Sequence, residues 1–370
     1  MNKSKKSVIA AWMFYIVIVF EIIYMISPFG VYYYSVYGPS LNLFNKSPMT
    51  SWLSSFFLPH IVETSSFILN SIKDIGWLFI IMGLSSFMLG AGQIYYHKFT
   101  KKAAVTGGIY KIIRHPQYVS LAIAGLGMLL VWPRFIVLMM YVTMLFVYYF
   151  LAKHEEMECE DKFGESYRAY KSETSMFIPI PMPAFINKLS LPNSGFKKVL
   201  SILSIYSIVI VITLFLTIAI RNYGISQISA VYSKNSATVS MTHMNNQELN
   251  NILQIALNNL TVQGSLKNDA RYLNYVIPQE WYLSDLPMNI PSEIHGHYQP
   301  ENYNKNQYKI IFTQAKTLSK SPAENEGIIK DTSARLAVLE VSVDTATGTV
   351  TQIQTPPKNV RWGDIPTPLI

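Results

Sequence analysis

The sequence is poor in cysteine and in charged side chains. Its single cysteine, Cys159, excludes a disulfide bond within the chain and a zinc site built from several cysteine ligands. Only 14% of the 370 residues are charged, whereas 50% are hydrophobic. A soluble globular protein usually carries more charge than this, so the composition favours a protein that lies partly in a membrane.

The positive charge is confined to the first part of the chain. The formal net charge is +8, and residues 221–370 carry as many acidic as basic side chains, so all of it comes from residues 1–220. The basic residues flank hydrophobic runs, which is typical of the loops that set membrane topology. No basic patch with interleaved aromatic residues is present, and we therefore expect no nucleic acid as a partner.

Four hydrophobic runs are long enough, or nearly so, to cross a bilayer as helices, which takes about 20 residues each. They are residues 8–26, 75–96, 134–152 and 199–220. A fifth run, residues 118–132, would form a helix of only about 22 Å, short of the roughly 30 Å hydrocarbon core. We interpret it as one half of a helical hairpin that turns at Pro133, because proline ends a helix.

These runs predict a mainly α protein, a polytopic transmembrane helical bundle of about five spans including the hairpin, with a C-terminal soluble α+β domain. The expected division is an N-terminal membrane domain (1–178), a proline-rich cytoplasmic linker (179–198), an additional transmembrane helix (199–220) and an extracytoplasmic α+β domain (221–370). The positive-inside rule places the N-terminus in the cytoplasm and the C-terminal domain outside.

Two segments leave an alternative open. The basic start "MNKSKK" suits a signal peptide, but no small-residue cleavage site follows, so we expect an uncleaved span. Residues 51–72 are apolar enough to touch lipid. Pro59, His60 and Glu63 in their middle predict an interfacial helix rather than a span. If that segment does cross the membrane, the orientation upstream of it is reversed.

The C-terminal region has the patterns of a small soluble domain. "NQELNNILQIALNNL" predicts an amphipathic helix, whose apolar face comprises Leu249, Ile252, Ile255, Ala256 and Leu260. "ARLAVLEVSVDTATGTVTQIQT" alternates on both sides of "TATG" and predicts a β-hairpin.

The same region holds one weak metal-binding pattern, "EIHGHY". It places His295 and His297 near Glu293, but two histidines without a third clear ligand are more typical of a surface loop than of a metal site.

The stretch "GGIYKIIRHPQY" brings polar chemistry to the start of the short fifth run. Pro116 suits the first turn of a helix, and the N–H groups of Gln117, Tyr118 and Val119 at that turn form a potential anion site. Arg114 and His115 stand at its rim. The alternative is a purely structural role, in which Arg114 anchors the span in lipid headgroups and His-Pro only starts a helix.

An acidic cluster lies at the other end of the predicted hairpin, in "KHEEMECEDKFGESYRAY". Because a hairpin returns to the membrane face at which it began, Glu155 is expected beside His115. A carboxylate there accepts hydrogen bonds from a ligand diol or pairs with a ligand cation. The remaining acids of the cluster are expected to form a solvated face. Glu21, within the first run, is expected near the outer end of that span, where it reaches the headgroups.

The ordered set "GGIYKIIRHPQY…P…EE…KFGESYRAY…IP" resembles the isoprenylcysteine carboxyl methyltransferase and phospholipid methyltransferase superfamily. The resemblance covers residues 105–179. It implies an integral membrane enzyme that uses S-adenosyl-L-methionine at the cytoplasmic face and acts on a lipophilic or lipidated substrate. It also implies a set of cofactor-binding residues, namely Lys102, Ala103, Ala104, Val105, Tyr110, His115, Pro116, Gln117, Tyr118 and Glu155. Arg114, assigned as catalytic, would face the substrate.

The sequence departs from the family pattern at three points. Leu151 stands where the prenylcysteine enzymes carry a second substrate arginine, which argues against a prenylcysteine carboxylate as the substrate. Ser120 replaces a usual glycine. The last span and the outer domain lie outside the shared segment.

Two other functions fit parts of the sequence. One is a membrane reductase of the sterol or steroid type, in which Lys101 and Lys102 would bind the 2′-phosphate of NADPH. The other is a non-enzymatic anchor that displays the outer domain. The methyl acceptor, carboxyl or amine, stays open at this point, as does the oligomeric state.

Overall fold

The structure is a computed structural model, and it describes residues 3–36, 41, 43–44, 47, 49–100, 105–179, 195–317 and 324–358. The predicted cofactor residues Lys102, Ala103 and Ala104 and most of the predicted linker lie outside these ranges. The chain divides into two compact units. The first comprises residues 1–35, 74–131 and 137–212, and the second comprises residues 36–73, 132–136 and 213–370.

Residues 3–226 are mainly helical where the structure describes them. The elements are α1 (Lys3–Val36), α2 (Phe67–Thr100), a 3-10 turn (Gly108–Lys111), α3 (Pro116–Val131), α4 (Phe135–Phe163), α5 (Glu165–Glu173) and α6 (Gly195–Ser226). The predicted helix start at Pro116 and the turn between α3 and α4 at Pro133 are confirmed.

Three helices of the described chain are long and apolar enough to cross a membrane, Phe67–His97, Phe135–Phe163 and Gly195–Ser226. Two shorter apolar helices, Ile18–Tyr34 and Pro116–Val131, accompany them. The 16 residues of α3 span about 24 Å, which is short of a bilayer core, as expected. The expected total of about five spans stays a prediction.

Helices α2 and α3 pack with their backbones in contact. A Cβ atom added at Gly76 would lie 2.8 Å from the carbonyl oxygen of Gly127, and one added at Gly83 would collide with the backbone of Ser120 and Ala124. Small residues permit such close approach where no hydrophobic effect drives helices together in lipid. The α2–α3 contact places the start of α3 beside the C-terminal part of α2. Tyr110 lies there and can bond to Gly90 of α2 or to Gln117 of α3.

The second unit is built on a six-stranded sheet in the order β1 to β6. The strands are β1 (Ala230–Ser233), β2 (Ser236–Ser240), β3 (Tyr272–Pro278), β4 (Gln307–Thr317), β5 (Thr332–Asp344) and β6 (Thr349–Gln354). Only β2 and β3 pair in parallel among these strands. Their crossover contains α7 (Asn246–Leu257) and α8 (Leu260–Ser265), and a short α9 (Gly327–Asp331) precedes β5.

Both faces of the sheet are covered, so β3 is buried along its whole length. The crossover helices pack on one face, and the predicted amphipathic helix is confirmed with Leu249, Ile252 and Ala256 buried. Leu260 was wrongly assigned to that face, because α7 ends at Leu257 and leaves it 83% exposed. The predicted hairpin is confirmed as the β5–β6 pair.

The other face of the sheet is covered in part by residues 55–66, for which the prediction of an interfacial helix is wrong. Apart from a 3-10 turn at Ser51–Ser54, this segment has no helix before Phe67. Phe56, Ile61 and Val62 join the core beneath β3 instead. The segment also bonds through its backbone, since the N–H of Glu63 donates to the carbonyl of Met241 at 3.0 Å. These backbone hydrogen bonds and the buried side chains stabilise an extended conformation of residues 55–66. A helix in this segment would lose both kinds of contact.

The histidine pair of "EIHGHY" lies in a loop of this unit, and His297 contacts neighbouring loop residues. The Nδ1 of His297 accepts a hydrogen bond from the N–H of Ser284 at 3.2 Å, and its Nε2 lies 3.3 Å from the Asp285 carboxylate. No group of three potential metal ligands occurs among the residues that the structure describes.

Candidate active site in the helical unit

The hairpin brings His115 and Glu155 together, as its topology predicts. Pro116 starts α3 one residue after His115, and Glu155 lies in the last part of α4. The Nδ1 of His115 is 3.4 Å from Oε2 of Glu155, and its Nε2 is 3.5 Å from Oε1 of Glu156. The imidazole, only 4% exposed, is therefore held between two carboxylates.

These contacts change the proton affinity of His115. Burial by itself would lower the pKa of His115. The carboxylates of Glu155 and Glu156 beside its two ring nitrogens outweigh the effect of burial, so the pKa of His115 is raised above its usual value.

Glu155 is oriented by aromatic residues of the same hairpin. The hydroxyl of Tyr118 donates to Oε1 of Glu155. The Tyr118 ring stacks on His115 at 5.7 Å and on Tyr148 at 4.7 Å between centroids. The side chain of Glu155 is 31% exposed. Tyr118 and His115 therefore hold one side of the carboxylate, and its other side is open to solvent.

Gln117 is held in the same manner by Tyr110. The Tyr110 hydroxyl donates to Oε1 of Gln117 at 3.2 Å or to the carbonyl of Gly90 at 3.3 Å. Tyr110 itself follows Gly108, which adopts φ +61° and has the Gln93 side chain packed against it. The glycine pair thus permits the approach of Gln93, whose amide donates to the carbonyl of Gly107 at 2.5 Å.

Arg114 points into protein rather than into open space. Its Nε donates to Oε1 of Glu156 at 2.7 Å, and its Nη1 donates to the carbonyl oxygens of Lys171, at 3.0 Å, and Thr174. Its side chain is 9% exposed. The predicted substrate contact of Arg114 stays a prediction, and the geometry shows a link between α4 and the segment after α5.

Glu156 accepts the contacts of both Arg114 and Lys171. Its place in the acidic cluster predicted a solvated side chain, and this prediction is wrong. Its side chain is 1% exposed, and its Oε2 lies 3.1 Å from Nζ of Lys171. The helical spacing could have predicted the burial of Glu156. Tyr148, Ala152 and Glu156 follow each other at intervals of four, so they lie on one face of α4, and all three are buried.

The segment after α5 pairs with the start of α3. The N–H groups of Arg114 and His115 donate to the carbonyls of Ser175 and Met176 at 2.9 and 3.1 Å. Of the helix-start N–H groups predicted to form an anion site, that of Val119 bonds to the carbonyl of His115 at 3.3 Å.

An open cavity of about 820 Å³ lies in front of Glu155. Such a volume is within the roughly 300–1,000 Å³ that small-molecule sites occupy. Helices α1, α2, α3 and α4 all contribute to its walls, which comprise Phe20, Glu21, Ile23, Tyr24, Met25, Ser27, Ile94, Tyr95, Gln117, His154, Glu155, Glu158 and Cys159.

Among the predicted cofactor residues that the structure describes, Gln117 and Glu155 line this cavity. Tyr110, His115 and Tyr118 contact those two side chains from behind. Pro116 is buried in the first turn of α3, and Val105 is half-buried ahead of the 3-10 turn.

Glu21 also lines the cavity, so its expected position near the outer end of the first span is wrong. Helix α1 continues to Val36, and its apolar described part is Ile18–Tyr34. The predicted span, residues 8–26, lies within α1, and its bounds stay a prediction.

Comparison with known proteins gives two findings. Residues 75–166 match the phospholipid methyltransferase family. A segment of 102 residues is 31% identical to the protein-S-isoprenylcysteine O-methyltransferase of Schizosaccharomyces pombe. This match covers 26% of the present chain and 43% of the relative, less than half of its length. No solved structure matches the chain.

The matched residues 75–166 include α3, α4 and the residue pairs described in this site, except those formed with Lys171 and with the segment after α5. Together with the apolar helices, they identify an integral membrane protein whose α2–α4 segment belongs to the isoprenylcysteine carboxyl methyltransferase and phospholipid methyltransferase superfamily.

Proposed function

We propose that the protein is a membrane methyltransferase that uses S-adenosyl-L-methionine to methylate a lipophilic substrate at the cytoplasmic membrane face. The observation that carries this proposal is the cavity in front of Glu155, since two predicted cofactor residues line it and both lie in the family-matched segment. When bound, S-adenosyl-L-methionine supplies an activated methyl group.

The residues on the cavity wall suit this cofactor. The Glu155 carboxylate, fixed by Tyr118 and His115, has the open face needed to accept two hydrogen bonds from a ribose diol or one from an amino group. Gln117, fixed by Tyr110, offers an amide to the same space. Methyl transfer is an in-line displacement, so such preorganised groups contribute chiefly by holding the reactants in position.

The proposed arrangement has about five spans, with the N-terminus in the cytoplasm and residues 221–370 outside. In a Cys159→Ser background, Thr347→Cys should react with a membrane-impermeant maleimide in intact cells, and Ser166→Cys only after lysis. Labelling of Ser166→Cys in intact cells would reverse the orientation.

Cofactor binding tests the function itself. We expect the solubilised full-length protein to bind S-adenosylhomocysteine saturably, and Glu155→Gln to weaken that binding by at least about tenfold, the effect of losing a hydrogen bond to a charged group. Glu165→Gln, the same change at a carboxylate that is 86% exposed, is the control and should bind as the wild type does.

A parallel titration with NADPH tests the reductase. Binding of NADPH without S-adenosylhomocysteine would replace the proposal by a reductase, and binding of neither would leave a membrane anchor.

A further inference from the structure

Lys171 belongs to a charged cluster that lies behind the cavity wall. It is a residue of α5, beyond the family-matched residues 75–166, and it is not among the described residues that line the cavity. Its Nζ is 3.1 Å from Oε2 of Glu156, and it also forms an ion pair with Glu160. Lys171 therefore bridges two carboxylates that are four residues apart on α4.

The Glu156 carboxylate is shared between three partners. Its Oε1 accepts a hydrogen bond from Nε of Arg114 at 2.7 Å and lies 3.5 Å from Nε2 of His115. Its Oε2 faces Lys171. Because the Glu156 side chain is only 1% exposed, water screens these interactions little. A change of charge at Lys171 therefore alters the negative charge that Glu156 presents to His115.

His115 connects this cluster to the cavity. Its Nδ1 lies 3.4 Å from Oε2 of Glu155, and Glu155 lines the cavity. A protonated imidazole carries a hydrogen on both ring nitrogens, whereas a neutral imidazole carries one on a single nitrogen. Loss of the proton thus removes the positive charge between Glu155 and Glu156 and turns a lone pair towards one of them. The hold of His115 on Glu155 is weaker in that form.

The titratable and charged groups around His115 come from three helices and from the residue before it. They are Glu155 and Glu156 of α4, Tyr118 of α3, Lys171 of α5, which acts through Glu156, and Arg114. Phe177, in the segment after α5, adds an uncharged ring at 5.9 Å. Arg114 and Lys171 are the cations of this set.

The two cations differ in what else they hold. Nη1 of Arg114 donates to the carbonyl oxygens of Lys171 and Thr174, and the side chain is 9% exposed. Replacing Arg114 would therefore disturb a backbone link as well as a charge. The amino group of Lys171 contacts the carboxylates of Glu156 and Glu160, and its side chain is 33% exposed. Its charge can be removed with less damage to the fold.

We propose that Lys171 is a positioning residue, which acts through Glu156 and His115 to set the pH range in which Glu155 is held for the cofactor. This inference rests on the proposed methyltransferase function. The positive charge of Lys171 offsets part of the negative charge beside the imidazole. Removal of that positive charge should therefore raise the pKa of His115 further.

The test measures the Kd of S-adenosylhomocysteine for the solubilised full-length protein across neutral and mildly alkaline pH. For the wild type, we expect the Kd to rise as the pH rises through the folded pKa of His115, because the hold on Glu155 then weakens. Lys171→Gln should move this rise to a pH higher by about 0.5–1 unit. Lys171→Arg keeps the charge and should leave the rise in place, as should Lys162→Gln at an exposed position in the last turn of α4. The titration of the ligand itself is common to all variants.

Glu160→Gln provides a change of opposite sign. It removes a negative charge from the cluster and leaves Lys171 to Glu156 alone, so the rise in Kd should move to lower pH. Glu160 is 29% exposed, and its replacement tests the inference even if Lys171→Gln does not fold. Glu165→Gln, at a carboxylate that is 86% exposed, should leave the rise in place.

The failures are distinguishable. A merely structural role of Lys171 would raise the Kd by the same factor at every pH and leave the position of the rise unchanged, which would overturn the inference. A Kd of the wild type that does not change with pH, or a rise that stays in place in Glu160→Gln, would overturn it as well, while S-adenosylhomocysteine still binds. Absence of S-adenosylhomocysteine binding by the wild type at every pH would overturn the proposed function itself.

Discussion

Two carboxylates raise the pKa of His115, because their effect outweighs that of its burial. The raised pKa of His115 gives a definite pH dependence of folding. The stabilisation is complete below the unfolded pKa of about 6.5 and is lost as the pH rises through the higher folded value. We therefore expect the thermal unfolding midpoint of the solubilised protein to fall as the pH rises above about 6.5.

A matched variant isolates this contribution. His115→Asn keeps a polar side chain but cannot titrate, so the difference between wild type and variant should shrink as the pH rises across that range. A difference that stays constant with pH would mean that folding leaves the pKa of His115 unchanged.

Arg114 is expected to matter first for stability, because it compensates the buried charge of Glu156. Arg114→Gln should destabilise the protein by about 3 kcal/mol, the lower end of the cost of breaking a buried pair. Arg168→Gln breaks the exposed pair with Glu165, 2.6 Å long, and should cost about 0–1 kcal/mol. Chemical denaturation in detergent measures both.

The double variant Arg114→Gln/Glu156→Gln tests the cause. It should lose less stability than the sum of the single variants, since neither partner is then left charged and unpaired. Strict additivity would mean that Arg114 acts through other contacts.

At the residue scale, the sequence predicts pairs that follow from local geometry. His115 and Glu155 meet because both helices of a hairpin end on one side, which needs no long-range information. The place of Glu21 in the cavity wall could not be predicted in this way, since it depends on how α1 packs against α2, α3 and α4. Hydropathy predicts which residues form a span, but it does not predict which neighbouring helices a given side chain of that span faces.

At the scale of elements, the contact between α2 and α3 tolerates the least added volume. Gly83→Ala places a Cβ atom against the backbone of Ser120 and Ala124, which cannot yield as a side chain would. We expect α3 to be displaced, with a loss of about 1–3 kcal/mol, typical of overpacking. Because α3 begins at Pro116, S-adenosylhomocysteine affinity should fall as well. Thermal unfolding and ligand binding in the same samples measure the two effects.

Gly92→Ala provides the control within the same helix. A Cβ atom there meets nothing within 4 Å, so the change should be neutral or stabilise by up to about 1 kcal/mol through helix propensity. If Gly83→Ala behaves as Gly92→Ala does, the backbones of α2 and α3 are not in contact.

The elements themselves follow largely from local pattern. Pro116 and Pro133 mark the bounds of the short helix, and alternation around "TATG" marks the β5–β6 hairpin. Residues 55–66 could not be placed in this way. Their apolar side chains indicate burial, but composition cannot distinguish a lipid surface from the core of a sheet formed by residues much later in the chain.

At the scale of the whole molecule, the second unit is assembled from distant parts of the sequence. Arg134, from the turn between α3 and α4, lies 3.9 Å above the Phe56 ring, and His60 stacks on the same ring at 4.5 Å. Phe56 is fully buried in the core that contains Leu273, Tyr275 and Ile277 of β3. The core of the second unit is therefore not complete within residues 221–370.

This assembly predicts that a substitution early in the chain loosens a strand late in it. Phe56→Ala should destabilise the second unit by about 3–5 kcal/mol, the usual cost of removing a buried aromatic ring. Amide hydrogen exchange of the full-length protein should then be faster in β3 (Tyr272–Pro278), because exchange from core strands reports the stability of their unit. Phe67→Ala removes the same ring at a position that is 84% exposed and should leave β3 protected. Equal protection of β3 in both variants would mean that residues 55–66 only rest on a domain that is stable without them, whereas selective loss in Phe56→Ala would make them a structural part of it.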